Sequence, residues 1–167
     1  VFDTPAVLDL GAVRAVLDDR LSNVARESFA NGQIVRLTLR EAELAGIEAE
    51  GTEWVVTIGD LVAQRATPVT FTRVVQPDGS LILKAPYARA GRIHRIEDRD
   101  VGDTLIVATA FGPPRAILRP QTLAELQTLV SAHGIAVAPL ADDVTLTLDH
   151  DEAIIARRGK GLTLSVD

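Results

Sequence analysis

Thr122-Leu123-Ala124-Glu125-Leu126-Gln127-Thr128-Leu129-Val130-Ser131-Ala132-His133 is the stretch whose reading decides the fold. Thr122 and Glu125 have capping-box spacing, in which a hydroxyl and a carboxylate each satisfy an orphan backbone donor. Leu123, Leu126, Val130 and His133 fall on one helical face, and Gly134 suits the residue just past a helix end. The pattern predicts an amphipathic helix over 122–133. Beyond it, residues 135–138, 144–148, 153–157 and 162–166 read as short strands. Asp149-His150-Asp151-Glu152 and Arg158-Gly159-Lys160-Gly161 supply turns between them.

The segment from about Asp9 to Asp60 reads the same way. Asp9 is a plausible N-cap for a helix with an apolar stripe of Val13, Val16 and Leu17. Asn31-Gly32 predicts a type I′ hairpin between 24–29 and 34–39, and Glu50-Gly51-Thr52-Glu53 a second one between 44–49 and 54–58. Val35-Arg36-Leu37-Thr38-Leu39 can be laid beside Val144-Thr145-Leu146-Thr147-Leu148, and Trp54-Val55-Val56-Thr57-Ile58 beside Gly161-Leu162-Thr163-Leu164-Ser165. The expected fold is therefore α+β and β-dominated: two copies of a helix-plus-antiparallel-strands unit joined by β-hairpins. Residues 1–60 form the first, N-terminally truncated unit, 61–90 a linking hairpin and 91–167 the second unit, the whole forming either separate units or one compact two-lobed domain. Val1-Phe2-Asp3-Thr4-Pro5 reads as the tail of a strand that begins upstream. Trp54 is expected in the first unit's core, near Val13 and Leu17.

Two further hairpins are expected in the middle of the chain. Gln76-Pro77-Asp78-Gly79 separates 70–75 from 81–84, and Asp98-Arg99-Asp100-Val101-Gly102-Asp103 separates 92–97 from 104–109.

Composition limits the function classes. A chain of 167 residues can form a real core, and with 47% apolar but 4% aromatic residues that core must be aliphatic. Few rings are left for stacking sugars or bases. The net charge of -6, with both signs interspersed, argues against a nucleic-acid partner, which needs a clustered basic face. The absence of cysteine excludes disulfides, a thiol nucleophile and Cys-ligated zinc. No apolar run reaches the ~20 residues of a membrane span. Lys84 and Lys160 are the only lysines among 17 basic residues, a bias associated with high-GC bacterial genomes.

Several constellations suggest chemistry and fit a plainer reading better. Asp149-His150-Asp151-Glu152 gathers ligand types, but adjacent residues converge poorly on one ion, and hairpin tips are normally polar. The 98–109 stretch resembles a calcium loop yet has Gly102 where a ligand belongs, Asp103 in the glycine place and Thr109 in the bidentate glutamate place. Arg158-Gly159-Lys160-Gly161 lacks the first glycine of a phosphate loop, and Leu162 replaces its hydroxyl residue. Ser131 and His133, two apart on the predicted helix, point to different faces, and the dipole at a helix end favours His133 there. No carboxylate pair stands out for general acid and base work, so neither catalytic residues, nor a metal, nor a cofactor is expected. The one basic concentration is Arg89, Arg92, His94, Arg95 and Arg99, a candidate surface for an anionic polymer or another protein. Its plainer reading is a solvated strand whose arginines pair with Glu97, Asp98 and Asp100.

The Val-Phe-Asp stub, the alternating strands and the modular repetition resemble the repeated β-rich modules of large bacterial cell-envelope proteins of alphaproteobacterial type, including amidase N-terminal (AMIN-type) domains. The two expected helices depart from an all-β module. The resemblance implies a non-catalytic structural or binding module cut from a larger protein, with a periplasmic or envelope location and no transferable site residue. The contrasting expectation is an enzyme with its site in the groove between the two units, and a third is a mere spacer. A deep pocket lined by convergent ionisable groups would mark the enzyme, and a shallow polar surface the module.

Overall fold

A computed structural model describes residues 1–5, 7–60, 62, 65–98 and 102–163. The chain divides into two compact units, Val1–Ala45 with Thr57–Ala63, and Gly46–Val56 with Gln64–Asp167.

Unit 1 opens with helix α1 (Leu10–Leu17), whose N-cap Asp9 accepts a hydrogen bond from the Ala12 N–H at 3.1 Å, as the sequence predicts. The helix buries no residue, and Val16 is 82% exposed. After one 3₁₀ turn (Asp18–Arg20), β1 (Leu21–Phe29) and β2 (Gly32–Leu39) form an antiparallel ribbon. Leu21, Val24 and Ile34 are its buried apolar residues. Phe29 pairs with Gly32, so the loop is Ala30-Asn31, one residue earlier than expected. Gly32 does not take a positive φ; it answers a close approach. A Cβ there would lie 2.2 Å from the Phe2 carbonyl oxygen, because Phe2 exchanges two backbone hydrogen bonds with Gln33.

The hairpin β3 (Leu44–Glu50) and β4 (Glu53–Gly59) turns at Gly51, which takes φ +62°. Its base belongs to unit 1 and its tip, Gly46–Val56, to unit 2.

Unit 2 holds two four-stranded antiparallel sheets. β6 (Thr72–Val75), β7 (Leu81–Pro86), β13 (Val144–Asp149) and β14 (Glu152–Arg157) make the first, in the order β13-β14-β7-β6. β8 (Ala90–Glu97), β9 (Thr104–Ala110), β11 (Leu126–Leu129) and β12 (Ile135–Pro139) make the second, in the order β11-β12-β9-β8. A short parallel pair joins β5 (Thr67–Pro68) to β10 (Arg115–Ala116). Alternate residues of both sheets enter one core: Leu83, Ala85, Val144, Leu146, Ala153 and Ile155 from the first, and Ile106, Ala108, Leu126, Ile135 and Val137 from the second. This is a β-sandwich, in which each sheet hides the apolar face of the other. Tyr87 ties the sheets together. Its N–H donates to the Asp151 carbonyl at the β13–β14 tip, and its buried hydroxyl donates to the Ala108 carbonyl on β9 at 2.8 Å.

The β-dominated, antiparallel character matches the sequence reading. The type I′ turn expected at Asn31-Gly32 is a correction, because the loop is Ala30-Asn31 and neither residue takes the positive φ that such a turn needs. Gly79, Gly102 and Gly159 take positive φ where hairpin returns are expected, and His150 does so at the β13–β14 tip.

The helix predicted over 122–133 is a correction. The stretch instead makes a tight reversal and then β11, with Leu126 and Thr128 fully buried at strand spacing. Thr122 forms a β-bridge with Gln127, and the Thr128 hydroxyl accepts from the Gln121 N–H at 2.8 Å. The Glu125 carboxylate binds Arg157 and Thr163, far along the chain, rather than the backbone of its own turn. Long-range packing thus overrides helix propensity. With α1 the one α-helix among the described residues, the duplication built on a second helix is not confirmed. The last strand expected over 162–166 lies largely outside the described residues, although the Leu162 N–H donates to the Leu81 carbonyl at 2.8 Å.

Candidate functional site

The basic stretch singled out in the sequence occupies β8 and the residue before it. Among the described residues β8 is an edge strand, paired with β9 alone in its sheet, and its register breaks between Ala90 and Ile93. Arg92 lies in that irregular part with an exposed side chain, while its backbone N–H donates to the Thr109 hydroxyl at 2.9 Å. Strand alternation then sends neighbours in opposite directions. His94 is buried on one side, whereas Ile93 packs on the core and Arg95 crosses toward the first sheet, where Nη2 donates to the Val144 carbonyl at 3.3 Å. Arg89 precedes the strand at φ +55°, and its Nη1 donates to the Gly112 carbonyl at 2.6 Å. Arg99 lies outside the described residues. The geometry therefore leaves Arg89, Arg92 and Arg95 exposed beside β8, Arg95 with one bond to the first sheet, and buries His94.

A second cluster surrounds the loop between β9 and β10, and no local sequence signal announced it. The His133 ring spans the ends of this loop. Its Nδ1 lies 3.1 Å from the Arg115 N–H, which donates to it, and its Nε2 lies 2.9 Å from the Ala110 carbonyl. Only the neutral tautomer protonated at Nε2 satisfies both partners. Ser131 does similar work, accepting from the Ile117 N–H at 2.9 Å and donating to the Gly134 carbonyl at 2.7 Å. His133 is thus a loop fastener and not a helix-terminal residue. The Trp54 ring lies against it, with centroids 4.7 Å apart and planes tilted by 32°. Trp54 keeps 37% of its surface exposed and belongs to this rim rather than to a core beside Val13 and Leu17, which corrects the sequence expectation.

The third cluster is ionic. Glu125 is buried, and its Oε1 accepts from Arg157 Nη1 at 2.5 Å and from the Thr163 hydroxyl, while Oε2 accepts from the Thr163 N–H at 2.8 Å. Arg157 Nε also donates to Asp143 Oδ1 at 2.8 Å. Burial alone would raise the Glu125 carboxyl, but the Thr163 and Arg157 hydrogen bonds and the Arg157 charge outweigh it and hold the group below the usual carboxylate range. Hydrogen bonding from Arg157 holds Asp143 low as well. These partners stand 32 and 38 residues from Glu125, which is why the local spacing read as a capping box.

A cavity of about 290 Å³ is lined by Phe71, Arg73, Leu83, Gln121, Thr122 and Leu123. Among the described residues Arg73 is the one ionisable group in that lining, and no acid and base pair stands there. Among the described residues no three His, Asp or Glu gather as metal ligands, and no helix is long and apolar enough to cross a membrane. No protein-family model, no curated protein and no solved structure matches this chain.

Proposed function

We propose that the chain is a non-catalytic binding module of a larger bacterial cell-envelope protein, holding an anionic envelope polymer along β8. The observation that carries this reading is the commitment of reactive side chains to structure. Glu125, His133, Ser131 and Tyr87 each spend their polar atoms on internal partners. The cavity near Phe71 is shallow chemistry at best, with a single cation in its lining. Arg89 and Arg92 supply exposed positive charge beside an edge strand, and edge strands are ready sites for a partner. The envelope assignment rests on the sequence resemblance.

The test is retention of the whole chain on an immobilised anionic polysaccharide, with a salt gradient. The Arg89→Glu/Arg92→Glu variant should elute at clearly lower salt, with affinity reduced about tenfold, because exposed charges act through screened attraction. Passage of the unaltered chain straight through the column, or identical elution of the two proteins, would sink the polymer reading. Retention only on a column of envelope proteins would transfer the surface to a protein partner.

A further inference from the structure

We propose that His133 is a proton-operated fastener of the β9–β10 loop, closed at neutral pH and released on acidification. Ala110 ends β9 and Arg115 begins β10, so the imidazole bridges both ends of the segment 111–114. The bridge needs Nδ1 as an acceptor. A second ring proton would set one N–H against another across 3.1 Å, and an imidazolium cannot keep the Arg115 bond.

The surroundings do little to soften that conflict. From β10 comes Arg115, whose Nη1 reaches the Pro113 carbonyl at 3.5 Å, and from the residue before β8 comes Arg89, bound to Gly112. Both are cations. The acids on the hairpin that packs here are Glu48, engaged with Arg65 at 3.3 Å, and Glu50 and Glu53, both exposed beside the turn. The indole of Trp54 covers the ring itself. Proton uptake therefore frees the Arg115 N–H and the Trp54 face together, while the sandwich core, built from other residues, stays closed. Phe111, already 59% exposed, rides on the released segment.

Trp54 is the chain's only tryptophan, so its emission reports the fastener directly. Fluorescence and near-ultraviolet circular dichroism of the whole chain, followed from about pH 8 to pH 5, should show one reversible transition. Imidazole nitrogen shifts measured by NMR in the unaltered protein should place the His133 titration at the same midpoint. Hydrogen exchange at the Arg115 amide, corrected for the intrinsic effect of pH, should rise about tenfold across it. His133→Gln, which can keep an acceptor and a donor without titrating, should abolish the transition, and His94→Gln and His150→Gln should leave it intact. A flat Trp54 signal in the unaltered protein overturns the proposal. So does a transition that survives in His133→Gln, or a His133 titration that leaves Arg115 exchange unchanged; the first and last of these outcomes are read in the unaltered protein and need no variant.

Discussion

In unit 2, Ile106, Leu126, Ile135, Val137 and Val144 are sealed completely, whereas in unit 1 the best-covered apolar side chains, Leu21, Val24 and Ile34, keep 6 to 8% of their surface and α1 seals none. Both regions draw on the same aliphatic residue types. The difference lies in closure. Two four-stranded sheets supply a second apolar layer for each other, and a two-stranded ribbon has no such layer within itself. The polar interior differs in the same sense. In unit 2 the buried Glu125 finds three donors, whereas in unit 1 the buried Gln33 has an Nε2 without a hydrogen-bond partner among the described residues. Aliphatic content alone therefore does not make a core; the number of strands that can be stacked decides it.

The sharpest way to break this comparison is to cut the same side chain in each unit. Ile106→Ala should cost about 4 kcal/mol and Ile34→Ala about 2, because the sealed site cannot refill its cavity from solvent-exposed neighbours. Urea unfolding with residue-resolved hydrogen exchange would read both, and equal losses would remove the distinction.

Next in size is Glu125→Gln, which leaves Arg157 short of its buried counter-charge and should cost about 3 kcal/mol. The sign with pH follows from the lowered carboxyls of Glu125 and Asp143. A group that is more acidic folded than unfolded stabilises above the ordinary carboxylate range, and that stability is lost as pH falls through the folded value. The melting temperature of the unaltered protein should therefore fall steeply below about pH 4, and that of Glu125→Gln less steeply. Parallel curves would show that this carboxylate is not the group responsible.

The smallest effect has the opposite sign. Gln33→Met removes an amide nitrogen that has no partner among the described residues and keeps the volume, so unit 1 should gain about 1 kcal/mol by thermal unfolding. A loss of similar size would mean that the amide is satisfied in solution.

Much of the local structure was legible. Asp9 as a helix cap, the Pro77-Asp78-Gly79 return and the alternation of residues 144–148 are short-range signals, each complete within a few residues. The 122–133 stretch was not legible, because its leucines satisfy helical spacing on paper while Leu126 and Thr128 satisfy strand spacing in place. Which period wins is settled by Arg157 and Thr163, and nothing near Glu125 reveals them. The candidate surfaces divide likewise. The arginines near β8 stand out as a run of like charge, but the pairing of Trp54 with His133 joins residues far apart in sequence and carries no motif.

Tyr87 has a consequence for chemistry on the folded chain. It is the sole tyrosine, its surface is wholly covered, and its phenol is donated to the opposite sheet. Kinases and nitrating reagents alike are shut out from that ring for as long as the two sheets stay together, so a label found on it dates from a moment when the protein had come apart.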